Sequence, residues 1–248
     1  MQIIALISGK GGVGKSTVTA NLAMALVQRK KRVLVIDLDP QNTQRHHLGM
    51  DPDEIAGLVR EGIRSSAIFD SPFGMQFIPF GRVQDGELEA FASELKQHPT
   101  WVADGIEALD QEFDFVLLDT PPGPTVYLQQ AIRAAHRALV IVLADAASYA
   151  TLPKITSLVE QYTEGRTDFM GMSRLINQMP TRGRLGHQVR DAIFSDPDAQ
   201  VVPVVIHRDE RVSQALAFER PVLEYYPGCK ASLDIQYLTD WLIDSEEP

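Results

Sequence analysis

The sequence predicts an α/β fold, a mostly parallel, doubly wound sheet flanked by helices, with residues 1–248 forming a single domain. Three observations carry that prediction. Near-continuous runs rich in Val, Ile and Leu recur with helical segments between them, the pattern of strands buried on both faces of a parallel sheet. Several of these runs end in a polar residue, namely Asp37, Asp119 and Asn177, at the edge where open α/β sheets bind ligands. The first run leads directly into Gly9-Lys10-Gly11-Gly12-Val13-Gly14-Lys15-Ser16, which fits the phosphate-loop pattern G-x-x-x-x-G-K-[ST]. A chain of 248 residues, 44% hydrophobic and 23% charged, has the length and composition for one such domain.

The elements follow in order. Residues 3–7 are apolar and β-branched and read as the first strand. Residues 17–30 carry Val18, Leu22, Ala25 and Leu26 at helical spacing, as an amphipathic helix does. Residues 32–37 form the second strand. Residues 50–70 and 84–105 read as helical insertions. Turns at Pro72-Phe73-Gly74 and Pro79-Phe80-Gly81 bracket a strand over 76–79. Further strands are expected at 113–119, 137–143, 174–177 and 201–206. Residues 231–244 read as a helix with Leu233, Tyr237, Leu238, Trp241 and Leu242 on one face turned to the core.

Composition excludes several functions. The chain has one cysteine, Cys229, so an internal disulfide is impossible and a thiolate metal site or iron–sulfur cluster would need a second subunit. With 23 basic against 33 acidic residues, the net charge is −10, which opposes nucleic-acid or anionic-membrane binding by the whole surface. A local patch, Arg182, Arg184 and Arg190 with Arg208, is the candidate place for DNA, and it reads equally as a solvated loop or the site of an acidic partner. The N-terminus runs straight into a strand without the features of a secretory signal. The longest apolar stretch, 138–147, is interrupted by Asp145 and is too short to span a bilayer. A soluble, cytoplasmic protein is expected.

A strand, a glycine-rich loop and a helix N-terminus form a phosphate cradle. The main-chain N–H groups of Gly11, Gly12, Val13 and Gly14, continued by Ser16 and Thr17, converge on anionic oxygens, and the helix dipole adds to the attraction. Lys15 then sits on the β/γ-phosphates and the Ser16 hydroxyl on Mg²⁺. Asp37-Leu38-Asp39-Pro40-Gln41 closes the second strand with two carboxylates suited to a magnesium shell and to orienting an attacking water, although aspartates also end strands for turn reasons. Asp119, at the end of Phe115-Val116-Leu117-Leu118-Asp119, is placed to hold a magnesium-bound water. Thr120-Pro121-Pro122-Gly123 is a candidate loop for sensing the γ-phosphate. Lys10 taken by itself is compatible with a solvated loop lysine.

Residues 10–17, Asp37-Leu38-Asp39-Pro40-Gln41 and Leu118-Asp119-Thr120-Pro121-Pro122 together resemble the deviant Walker-A ATPases, the ParA/MinD family, in that family's motif order. The resemblance covers nearly the whole chain. It implies a P-loop NTPase of the SIMIBI class that takes ATP/ADP and Mg²⁺ and pairs as an ATP-sandwich homodimer. Lys10 would reach the partner's phosphates, and Asp39 would serve a slow hydrolysis. Catalytic roles would then fall to Lys10, Lys15 and Asp39, and metal-binding roles to Ser16, Asp39 and Asp119. Asn177 matches the family's adenine-reading asparagine, and a carboxamide has the donor and acceptor for that task; a turn-capping role is the alternative.

A narrower resemblance, to the BcsQ group of bacterial cellulose synthesis, lies in Val205-Ile206-His207-Arg208-Asp209-Glu210, Ala215-Leu216-Ala217 and Arg220-Pro221-Val222-Leu223-Glu224-Tyr225, with Ile78-Pro79-Phe80-Gly81. It implies a switch ATPase that regulates assembly or localisation of the cellulose synthase complex, acting on its subunits or through a small accessory protein. A DNA-partition ATPase, or a MinD-like positioning ATPase for another membrane complex, is the rival reading. The ending Asp244-Ser245-Glu246-Glu247-Pro248 is acidic, whereas a MinD-type anchor is a basic amphipathic helix, so no direct membrane attachment by the tail is expected.

Overall fold

The computed structural model describes residues 1–51, 53–196 and 200–245. In chain order the elements are β1 (Gln2–Ile7), α1 (Lys15–Gln28), β2 (Val33–Asp37), α2 (Gln44–His47), α3 (Leu58–Glu61), β3 (Phe69–Asp70), β4 (Gln76–Ile78), α4 (Asp85–Gln97), α5 (Trp101–Glu107), β5 (Phe115–Asp119), α6 (Val126–Ala134), β6 (Arg137–Leu143), α7 (Ala146–Thr163), β7 (Gly171–Met179), α8 (Arg184–Phe194), β8 (Gln200–His207), α9 (Glu210–Ala217), α10 (Val222–Tyr225) and α11 (Lys230–Asp244). The eight strands form one sheet in the order β3-β4-β2-β5-β1-β6-β7-β8. Every neighbouring pair is parallel except β3 with β4.

Strand alternation divides the core in two. Ile3, Ala5 and Ile7 of β1 face a layer that includes Phe91 of α4, Leu128 of α6 and Ile155 of α7. Ile4 and Leu6 face the opposite layer, with Leu22 and Leu26 of α1 and Leu238 of α11. Because successive side chains point to opposite faces, a strand covered on both sides must be apolar throughout, which is why β1, β2 and β5 are buried along their whole length. The ends of β2 and β5 carry the acids: Asp37 pairs in register with Asp119, and Leu6 of β1 pairs with Asp119 on its other side.

The structure departs from the sequence reading in three places. Residues 50–70 are not a helical insertion. They hold the four-residue α3, a 3₁₀ turn at Ser65–Ala67 and the short antiparallel edge strand β3, and Pro52 lies outside the described residues. A two-residue strand has no period to read, and its pairing with β4 is tertiary. Second, β7 runs from Gly171 to Met179, so Asn177 lies inside the strand and not at its end. Third, α11 docks through Ala231, Ile235, Leu238 and Leu242, whereas Leu233 and Tyr237 are 44% and 63% exposed. The buried stripe is the i, i+4, i+7, i+11 set that packs into the same core layer as α1. Among the described residues no helix is long and apolar enough to cross a membrane; residues 246–248 of the acidic ending lie outside them.

Candidate nucleotide site

The loop between β1 and α1 is shaped by what surrounds it. Gly14 caps α1 with φ of 85° and supplies no side-chain acceptor, leaving the N–H groups of the first turn open to an anionic ligand. A Cβ on Gly14 would lie 2.6 Å from the Asn177 amide nitrogen, and one on Gly9 would collide with Thr151 of α7. Close approach therefore demands glycine at both positions, and at Gly14 the positive φ demands it as well. Lys15 is buried, and its Nζ donates to Ser8 Oγ at 3.1 Å. Burial lowers its pKa, opposed by the negative charges of Asp119, Asp39 and Asp37.

The acids below the loop have separate tasks. Asp37 accepts the backbone N–H groups of Asp39 at 3.0 Å and Gln44 at 3.1 Å, which folds the segment after β2 back over the sheet edge. Asp39 lines the cavity, and its Oδ1 accepts the Gln41 N–H at 3.0 Å. Asp119 is fully buried. Burial pushes the Asp37 carboxyl well up, and Asp119 opposite adds repulsion. Burial likewise raises Asp119, against the hydrogen bond from Gln44 and the charge of Lys15.

Gln44 and Thr43 complete the cluster, and the sequence reading missed both. Gln44 Nε2 donates to Ser16 O at 3.0 Å and to Asp119 Oδ2 at 2.8 Å, while Thr43 Oγ1 donates to Ser16 Oγ at 2.9 Å. Their only trace in the sequence is the polar run after Pro40, because the contacts arise when that segment folds onto α1. Asp119 Oδ1 is buried with no hydrogen-bond partner. Two raised carboxyls, an unpaired acceptor and the Ser16 hydroxyl fit a hard divalent cation that takes oxygen ligands and keeps waters. Among the described residues no group of three His, Cys, Asp or Glu side chains could hold a metal, so such a cation would depend on Ser16 and on ligand oxygens.

Two cavities meet over the loop. The larger, about 470 Å³, is lined by residues 11–17, Asp39, Gln41, Thr43, His46, His47, Pro122, Leu216, Ala217 and Glu219. The smaller, about 230 Å³, shares Gly14, Thr17 and Leu216 with it and adds Asn177, Gln178, His207 and Arg208 among others. Asn177 Nδ2 donates to Val13 O at 2.8 Å, tying the far strand to the phosphate loop. Gln178 beside it has φ of 52°, and the β7–β8 register shifts around these residues, the kind of bulge that re-aims side chains at a site. Asn177 is therefore neither at a strand end nor capping a turn. The α9–α10 region at the rim, including Glu219, whose Oε1 lies 3.3 Å from His46 Nδ1, carried no nucleotide signal in the sequence.

Lys10 is not a free loop lysine. Its Nζ lies 2.9 Å from Asp145 Oδ2, and Asp145 also caps α7 by accepting the Ser148 N–H at 2.6 Å. Burial pushes the Asp145 carboxyl up, but the bonds from Lys10 and Ser148 outweigh it and hold the pKa below its ordinary value. Of the arginines considered for DNA, Arg182 and Arg184 are exposed, Arg190 pairs with Asp191 at 2.6 Å, and Arg208 lines the smaller cavity.

A doubly wound sheet with this loop, a buried acid beneath it and a lysine at its second position define a P-loop ATPase of the ParA/MinD type. The model of the family "Cellulose biosynthesis protein BcsQ" matches residues 1–243, and the chain belongs to that family. It is 28% identical to cellulose biosynthesis protein BcsQ of Escherichia coli over 98% of this chain and 94% of the relative. It is 24% identical to the chromosome partitioning protein ParA of Myxococcus xanthus over 94% of this chain and 85% of the relative. The fold matches cobyrinic acid a,c-diamide synthase from Mycobacterium smegmatis with bound ADP and magnesium, at a TM-score of 0.83, 20% identity, and coverage of 100% of this chain and 96% of that one. It matches the septum site-determining protein MinD of Pyrococcus horikoshii complexed with Mg-ADP at a TM-score of 0.80, 22% identity, and coverage of 99% and 97%.

Proposed function

We propose that this chain is a cytoplasmic, magnesium-dependent switch ATPase. It binds ATP, pairs face to face with a second copy and regulates assembly or location of a cellulose synthase complex. The observation that carries the nucleotide reading is the joined pair of cavities, with Lys15, Ser16 and Asp39 on the wall of the larger and Asn177 on that of the smaller. Phosphates lie against the N–H groups of residues 11–17 and Lys15, and the base lies against Asn177. Ser16 and Asp119 hold the magnesium ion, directly or through water, and Asp39 orients the attacking water. Lys10 leaves Asp145 for the partner's phosphates, a transfer that makes pairing depend on nucleotide.

Family membership over residues 1–243 and a net charge of −10 favour a protein partner over bare lipid or DNA, since pairing doubles a charge that polyanions repel. The test has two arms. Calorimetry with Mg-ATP is expected to show binding that Lys15→Ala abolishes; unchanged affinity in that variant would defeat the nucleotide reading. A pull-down with ATP from cellulose-making cells, beside a DNA shift assay at physiological salt, tests the partner. Recovery of synthase subunits without a DNA shift supports the proposal. The exposed Arg182 and Arg184 favour a second reading, a DNA-partition ATPase, which salt-sensitive DNA binding lost on mutating both would establish.

A further inference from the structure

The smaller cavity is lined by His207, one half of a side-chain pair that the roles above leave unused. His207 closes β8, and its Nδ1 lies 2.8 Å from Asp234 Oδ2 of α11. The same oxygen accepts the His207 backbone N–H at 2.8 Å. Asp234 is 7% exposed, so its geometry is set by the interior. An ionised carboxylate only accepts, and therefore the contact places the ring proton on Nδ1. In the neutral ring Nε2 is then an acceptor with a free lone pair, and it makes no hydrogen bond among the described residues.

Asn177 does not by itself decide which base enters. Its Nδ2 keeps a second N–H after donating one to Val13 O, so the carboxamide still offers both a donor and an acceptor. It sets where the ring lies. His207, on the wall of the same cavity, offers a single polarity. We propose that His207, held in its Nδ1–H form by Asp234, selects the base: Nε2 accepts from an exocyclic amine and repels a carbonyl oxygen at the same place. This selection rests on the nucleotide reading above and narrows it to 6-aminopurines over 6-oxopurines. His207 is the specificity-determining residue, and Asp234 is its positioning residue.

Calorimetry with ATP, GTP and purine riboside triphosphate, which lacks the exocyclic amine, tests the assignment in wild type, His207→Phe and Lys15→Ala. Wild type is expected to prefer ATP to purine riboside triphosphate by about tenfold, the scale of one neutral hydrogen bond. His207→Phe abolishes that preference and narrows the gap to GTP, and Lys15→Ala abolishes measurable binding of all three. If wild type binds no triphosphate, the nucleotide reading falls and takes this one with it. If wild type binds ATP, Lys15→Ala abolishes that binding, and His207→Phe keeps the wild-type preference, the selection by His207 alone is wrong. Nitrogen-15 shifts of the wild-type imidazole need no variant. Protonated Nδ1 with bare Nε2 is expected, with Nε2 moved by ATP but not by purine riboside triphosphate; the opposite tautomer overturns the proposal. Asp234→Asn, folded by circular dichroism, should mix the tautomers and reduce the ATP preference, whereas an unchanged imidazole spectrum would remove Asp234 from the account.

Discussion

Replacing Asp145 with Asn is expected to strengthen ATP-driven pairing of two chains. Lys10 Nζ lies 2.9 Å from Asp145 Oδ2, and the two side chains are 33% and 38% exposed. An ion pair so open to solvent contributes about 0.5–1 kcal/mol. In the proposed dimer both protomers give up this pair, so freeing both lysines beforehand favours pairing by about 1–2 kcal/mol, or about 5- to 30-fold in the dissociation constant. Asn retains the α7 cap, because its carbonyl accepts the Ser148 N–H that Asp145 accepts now, and fold stability should change little. Sedimentation velocity with ATP measures the dimer constant, and the gain should shrink as salt screens the exposed pair. The same substitution in a Lys10→Ala background should have no effect, which separates release of the lysine from a general loss of charge. An unchanged or weaker dimer in Asp145→Asn, with the fold intact by circular dichroism, would refute competition between Asp145 and the partner's phosphates.

Other outcomes follow from the same geometry. Gly14→Ala places a Cβ 2.6 Å from Asn177 Nδ2 at a φ of 85°, and urea unfolding should show a loss of about 1–3 kcal/mol. Gln44→Ala strips the amide from Asp119 Oδ2 and Ser16 O; leaving buried acceptors unpaired should cost about 1–3 kcal/mol in the same assay. Burial, aided by the charge of His46, holds His47 at a pKa of about 4 against an ordinary 6.5. The fold therefore favours the neutral ring. Its contribution is complete above pH 6.5 and is lost as pH falls through 4, by up to roughly 3 kcal/mol. Urea midpoints of wild type and His47→Gln across that range should converge at low pH, and parallel curves would contradict this. Asp39→Ala should slow phosphate release and accumulate the ATP dimer in sedimentation; normal turnover would free Asp39 of its proposed role.

The residues that announce a nucleotide site were legible because their signals are local. Gly9 through Ser16 form one contiguous pattern, and the strand before and the helix after them have their own periods. Asp37 and Asp119 were legible as the polar ends of apolar runs, but not as partners: their shared register exists only once β2 and β5 lie side by side. Gln44 and Thr43 left no period or motif to read. Asn177 stood out as a polar residue in an apolar run, but its bond to Val13 O joins β7 to the phosphate loop and could not be read from a turn.

What the sequence determined by itself is the class of fold and the phosphate loop, since alternation of apolar strands with helices and a glycine-rich octapeptide depend on neighbours within a few positions. Only the tertiary structure decided which stripe of α11 is buried, that β3 adds an antiparallel edge, that Lys10 rests on Asp145 and that His207 is locked by Asp234. The α11 stripe, the Lys10–Asp145 pair and the His207–Asp234 pair each depend on separate segments meeting, and β3 is too short for its pairing with β4 to leave a period. Hydrophobic burial is blind to sequence distance, whereas a spacing pattern records only what lies nearby along the chain.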